Sequence, residues 1–289
     1  MKSKSILYHK EVFNIKQDHL VSPNISAQPK NNTVTAVDKA LKILDAFTYG
    51  QPELSLAQLN RMLKIPKTTL FNHICTLERA GFLYKVNNTQ NYRLGYKLME
   101  LNYFAHSSLP IMPYAVPLME ELCSTFDENV YLTTHIDGRV LYLKCLHANV
   151  HSIAYSVSGK TLPMHCTSCG KAMLSYMPHE EVVRILETHG MPAITQKTHT
   201  DFDSFMEELA LCRERGYATD DEEESIGGRC VAVAVRTPIG NVAGALSISG
   251  SVMSMTDDKV SGCANTLLEA CHVLMPHAHL FPAIQLQKG

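Results

Sequence analysis

The chain has 289 residues, 45% of them hydrophobic and 19% charged, with a formal net charge of −2, a composition that suits a globular protein with room for two domains at roughly 150 residues each. No run of about 18 or more apolar residues occurs, and the start MKSKSILYHKEVFNIKQDHL lacks an apolar signal stretch, so neither a membrane partner nor export is expected and the protein is placed in the cytoplasm. Nine cysteines scattered from Cys75 to Cys271 argue for reduced thiols over a disulfide framework.

Charge divides the chain. Residues 1–100 carry 14 Lys and Arg against 7 Asp and Glu, and the remainder 12 against 21. A basic front on an acidic body points to one domain that meets a polyanion. The excess gathers at Arg61, Lys64, Lys67, Arg79, Lys85, Arg93 and Lys97, with Glu78 the single acid among them.

Residues 1–33, polar and Asn-rich, read as a flexible tail. TAVDKALKILDAF predicts a helix capped at Thr35, with Val37, Leu41, Leu44 and Phe47 at helical spacing. A second helix starts at Ser55, with Leu56, Leu59 and Leu63 on one face. KIP is a short turn. A third helix follows with Pro66 in its first position, where the missing N–H costs nothing. Leu70, Ile74 and Leu77 form its inward stripe, and Lys67, Thr68, Thr69, Asn72, His73 and Thr76 face outward. Two short helices around a tight turn, the second with polar groups near its N-terminus, predict a helix-turn-helix whose second helix enters the major groove. FLYKVNNTQNYRLG predicts a strand, an Asn-rich turn and a strand, a wing with Lys85 and Arg93 on its arms for phosphates. The expected DNA-binding domain spans 34–95. YKLMELNYFAHSSL, with Leu98, Leu101 and Phe104, predicts a linker helix over 96–110 that also pairs protomers; Pro110 and Pro113 end it.

Residues 111–280 predict an α+β domain. VPLMEELCSTF is a helix, NVYLTTHIDGRVLYLKCL a hairpin around Asp137-Gly138, and HSIAYSVSG a further strand. Helices are expected at 168–176, 180–189, 202–215 and 256–275, and 281–289 is a tail. A turn at Thr237–Gly240 would pair Cys230 with Ser247, Ala232 with Ala245 and Ala234 with Ala243, giving one face of small residues. The opposite face, Val231, Val233, Val235, Val242, Leu246 and Ile248, is expected in the core, with Gly244 its small exception. A small-residue face suits a helix packed very close or space for a ligand; the thiol and hydroxyls of Cys230, Ser247 and Ser249 incline it to a ligand.

PMHCTSCGKAML (163–174) admits several chemistries. A phosphate loop fails, because neither GK is preceded by the required Gly: Ala154 and His165 stand there. For zinc there is a single CxxC, Cys166 and Cys169, which with His165 would need Asp220, Cys230 or the histidines His272, His277 and His279 from elsewhere. A redox CxxC lacks its βαβ setting. The remaining reading is a loop turning into a helix near Thr167, whose Ser168, Cys169 and Gly170 amides are donors for a carboxylate.

From about Val34 to Pro276 the chain resembles IclR-type bacterial transcriptional regulators, through AVDKALKIL, IPKTTLFNHICTLERAGF, LPMHCTSCGKAMLSYM, RERGYATDDEEESIGGRCVAVAV and GALSISG in order and spacing. The resemblance implies an α+β protein: an N-terminal winged helix-turn-helix, a linker helix, and a GAF-like effector domain for small organic acids, assembled as a homodimer or homotetramer. It places effector contacts at Ser168 and Cys169 (backbone amides), Asp220, Cys230, Ser247 and Ser249. Two departures stand out: Asn72, where many members carry Arg, and Cys169, where a smaller residue is usual. The expected function is ligand-responsive regulation, more as repressor than activator. Its partners would be operator DNA and a small carboxylate effector, a hydroxy or sugar acid if Asp220 meets a hydroxyl. No enzyme activity, cofactor or metal is expected. The rival reading is a zinc-dependent or thiol-based enzyme using Cys166, Cys169 and His165.

Overall fold

The computed structural model describes residues 33–148 and 158–282. Nearly all of the expected N-terminal tail, most of the C-terminal one and most of the HSIAYSVSG strand lie outside the described residues. The chain divides into two compact units, Met1–Met99 and Glu100–Gly289.

In the first unit, α1 (Thr35–Asp45) is followed by β1 (Leu54–Ser55), α2 (Leu56–Leu63), α3 (Lys67–Arg79), β2 (Leu83–Lys85) and β3 (Asn91–Leu94). The strands form an antiparallel sheet in the order β1-β3-β2. Ser55 starts α2 with a reciprocal cap: its Oγ accepts from the Gln58 amide and Gln58 Oε1 accepts from the Ser55 amide. At the turn Lys64 takes a left-handed φ of 56°, and the Asn60 side chain donates to the Ile65 carbonyl at 2.6 Å. Leu59, Leu70, Ile74 and Leu77 then close a core with Ile43, Phe47, Leu83 and Tyr92.

Two local expectations shift here. Thr35 is not a cap but the first helical residue, and Val34 precedes it without a side-chain cap. Pro66 is the residue before α3, with an extended ψ of 137°. The expected stripe also splits: Phe47, just past α1, is buried and Leu44 partly so, whereas Val37 and Leu41 are each 55% exposed, and the residue that α1 itself buries is Ile43. α1 has apolar residues on more than one face, and its neighbours α2 and α3 cover one of them.

Helix α4 (Lys97–Ser107) crosses the division in sequence and buries none of its residues. In chain order there follow α5 (Met112–Phe126), β4 (Asn129–Ile136), β5 (Arg139–Leu146), β6 (Thr161–Pro163), α6 (Ser168–Leu174), α7 (His179–His189), α8 (Phe202–Arg215), β7 (Ala218–Asp221), β8 (Gly228–Arg236), β9 (Val242–Ser251) and α9 (Asp257–Leu274). The six strands form one antiparallel sheet, β6-β5-β4-β9-β8-β7. Asp137 and Gly138, both at positive φ, make the tight turn between β4 and β5. Helices α5 and α9 cover one face over Val231, Val233, Val235, Leu246 and Ile248. Helices α6, α7 and α8 cover the other, over Ala232, Ala234 and Ala245.

The β8–β9 register differs from the sequence expectation. Gly240 donates to Thr237 as the turn requires, but Cys230 pairs with Ser249, Ala232 with Ser247 and Ala234 with Ala245. Gly240 at φ 93° adds one residue to the loop, and a bulge at Ala243 adds a second. A slip of two keeps each side chain on its face, because strand alternation has period two. Between turn and bulge the faces exchange: Val242, expected in the core, packs with the α6–α8 cluster and Ala243 with the other.

Candidate ligand cavity and nucleic-acid interface

The small-residue face satisfies both of its readings, at different ends. At Ala232, Ala234 and Ala245 it is covered by α6 and its neighbours. Gly170 marks how close that helix lies to the preceding chain: a Cβ there would sit 2.2 Å from the Met164 carbonyl oxygen. At Cys230, Ser247 and Ser249 the cover stops, leaving a cavity of about 180 Å³. Thr167 and Ser168 from the start of α6, Tyr131 and Tyr142 from β4 and β5, Lys160, Asp220, Glu224 and Ser225 complete much of its wall.

Five of the six expected effector residues therefore meet: Ser168, Asp220, Cys230, Ser247 and Ser249. The Cys230 thiol donates to Ser249 Oγ at 3.0 Å. Cys169 does not line the cavity; its side chain is buried in the cluster beneath α6. The helix start offers less than the sequence suggested, because Thr167 Oγ1 accepts from the Gly170 amide at 3.2 Å, leaving the Ser168 and Cys169 amides without an acceptor among the described residues. Sequence reading missed Tyr131, Tyr142, Lys160 and Glu224. They come from distant elements, and the only signal was Tyr131 and Tyr142 standing on strands expected to adjoin. The two rings meet edge to face at 5.4 Å.

Asp220 stands on edge strand β7, where Ala218 and Asp220 point inward. Its Oδ1 accepts from the amides of Glu223 at 2.8 Å and Glu224 at 3.3 Å. Those bonds favour the ionised form, but burial, reinforced by the Glu223 carboxylate, outweighs them and raises the pKa to about 7.

The CxxC thiols are poor nucleophiles. Burial pushes Cys166 up to about 12 and raises Cys169 as well. His165 is buried and depressed, its Nε2 3.1 Å from the Pro192 carbonyl oxygen. Among the described residues no group of three or more His, Cys, Asp or Glu is placed to hold a metal ion.

In the first unit, Lys67, Thr68 and Asn72 on α3 are exposed, with Thr69 and His73 partly so. Phe71, 49% exposed on the same helix, was not singled out from sequence. On the wing Lys85 is exposed, but Arg93 Nε lies 2.9 Å from Glu53 Oε1. Arg93 must share its charge between that acid and any phosphate. No helix among the described residues is long and apolar enough to cross a membrane.

Residues 103–274 match the family described as Bacterial transcriptional regulator IclR C-terminal, and residues 36–87 match the IclR helix-turn-helix domain. The HTH-type transcriptional regulator XynR of Escherichia coli K12 is 32% identical over 86% of this chain and 99% of its own. The Transcriptional repressor IclR of the same strain is 26% identical over 86% and 91%. Among solved structures, an IclR-type regulator from Silicibacter sp. TM1040 superposes with a TM-score of 0.71 at 26% identity, covering 86% of this chain and 98% of that one. An IclR homolog from Microbacterium hydrocarbonoxydans, complexed with 4-hydroxybenzoate, shares the fold with a TM-score of 0.68 at 21% identity, covering 84% and 99%.

Proposed function

Because the chain belongs to the IclR family of ligand-responsive transcriptional regulators, we propose that its second unit reads a small carboxylate in the cavity and its first unit binds operator DNA accordingly. The observation that carries this is the convergence of Ser168, Asp220, Cys230, Ser247 and Ser249 on one cavity. In this reading the effector's carboxylate meets the hydroxyls of Ser168, Ser247 and Ser249 and the free amides beside Thr167, with Lys160 supplying positive charge at the wall. Its hydroxyl meets Asp220 or Glu224. A hydroxy acid fits that donor pattern, and 4-hydroxybenzoate, held by the fold neighbour, is one aromatic example. Repression is the expected direction, as in the relative named for it.

DNA is read by Lys67, Thr68, Thr69, Asn72 and His73 on α3, with Lys85 and Arg93 on the wing. Asn72 suits adenine, not a phosphate clamp. The working form is a homodimer or homotetramer in the cytoplasm. Supporting this, Val34 just before α1 and Val37 and Leu41 on it are exposed, and α4 leaves Leu101 and Phe104 exposed, stripes that a second copy would cover. In this reading residues 34–95 serve DNA, 96–110 are the linker and 111–280 serve the effector. Binding without catalysis is the role that the elevated Cys166 and Cys169 thiols suit.

Ser247→Leu fills the cavity and tests its place. A panel of hydroxy and sugar acids including 4-hydroxybenzoate should raise the wild-type melting temperature and release operator DNA. The variant should lose both responses while retaining operator affinity. An unchanged response in the variant would overturn the site.

A further inference from the structure

The lysine of the GKA tripeptide has no part in a phosphate loop, yet it is among the most completely buried side chains of the protein, 1% exposed. Removing an ammonium from water costs several kcal/mol, roughly, after relaxation, so a lysine in this place calls for a role that an apolar residue could not fill. Lys171 Nζ lies 2.5 Å from Glu223 Oε1 and 3.4 Å from Glu208 Oε1 on α8. Arg215 Nη2 completes the cluster at 3.1 Å from Glu208.

We infer that Lys171 is the positioning residue of the ligand cavity, holding the 220–225 loop against α6 through Glu223. Three features place it there. Lys171 stands one turn beyond Thr167 and Ser168, so the helix that supplies one cavity wall also carries the ammonium. Glu223 is central to the loop that supplies another wall: its amide donates to Asp220, and its carbonyl accepts from Thr198 Oγ1 at 2.7 Å. Asp220, Glu224 and Ser225 on either side of it face the cavity. Among the described residues the Glu223 side chain has no other hydrogen-bonded anchor. Its Oε2 is buried without a partner, and His199 Nε2 stands 3.9 Å away. Without Lys171 the loop keeps its backbone bonds but loses the one side-chain tie to α6 found among the described residues.

This rests on the effector reading only for its biological meaning; the geometry is testable with no effector present. Hydrogen exchange of the full-length protein should be followed in Lys171→Met and in the Lys171→Met/Glu223→Gln double variant. The double variant removes both charges, so it avoids the unpaired buried carboxylate that destabilises the single one. Its circular dichroism and its β4–β5 protection should match wild type, while the backbone amides at positions 223 and 224 exchange at least ten-fold faster. Wild-type exchange in the loop of the double variant would overturn the inference. So would acceleration spread evenly over the sheet, which would make the pair a support of the whole fold. Either result leaves the Ser247→Leu test of the cavity untouched.

Discussion

Asp220 is an acid where an inward-facing strand position ordinarily holds an apolar side chain, and its environment decides its charge. Burial and Glu223 raise its pKa to about 7, while the Glu223 and Glu224 amides and Lys171 oppose the shift; the Cys166 and Cys230 thiols, also raised, stay neutral. In the proposed site a protonated Asp220 shares a hydrogen bond with the effector's hydroxyl, whereas an ionised one sets a negative charge against the anionic effector. Carboxylate affinity is therefore expected to fall as pH rises through about 7, approaching ten-fold per unit above it. Calorimetry with the best acid of the panel at pH 6 and pH 8 checks this, and Asp220→Asn should flatten the dependence. The same linkage acts on stability. A carboxyl raised above its unfolded value favours the fold below that value and loses the contribution as pH rises through the folded one. Asp220→Asn, whose amide oxygen still accepts from Glu223 and Glu224, should then melt no lower than wild type at pH 8. The residue scale also limits Cys169 to its backbone amide as a candidate contact. Its departure from the family's usual small residue was visible in sequence, but its side chain points under α6 and not into the cavity.

At the scale of elements, α6 shows how a short helix is placed by what it lacks. Gly170 permits contact with the Met164 backbone, and Thr167 caps the helix start. Gly170→Ala puts a methyl where backbone already stands, a kind of overpacking that costs about 1–3 kcal/mol. Its urea midpoint should drop accordingly, and an unchanged midpoint would mean the approach is looser than described. The hairpin of β8 and β9 teaches the complementary lesson. Alternation made the two faces legible, since Val231, Val233 and Val235 against Ala232 and Ala234 leave little ambiguity. The pairing was not legible, because Gly240 and the Ala243 bulge each insert a residue that alternation cannot detect. Strand β7 was missed for a related reason: ATDD is only four residues long, has Thr219 as its single β-branched residue and ends in two aspartates, which strands disfavour, so it forms as an edge on the strength of pairing with β8.

For the whole molecule, two half-sites on DNA require two copies, and the exposed stripe of α1 offers one means of bringing them together. Leu41→Glu places a charge in that stripe at a position 55% exposed, so the fold should survive. Sedimentation should show a smaller assembly, with operator affinity at least ten-fold weaker; an unchanged assembly would remove α1 from the interface. The sequence by itself determined the two-part plan, the helix-turn-helix, the faces of the main hairpin and several of the residues that meet at the cavity. These follow from periodicity, turn chemistry and charge, which act over a few residues, and from an ordered set of family motifs. Tertiary structure alone decided which parts of the small-residue face are covered and which are open, that Tyr131, Tyr142, Lys160 and Glu224 join the cavity, and that Lys171 is buried against Glu223. Those outcomes depend on how strands far apart in sequence register and on where a helix ends above them, and local pattern carries no information about either.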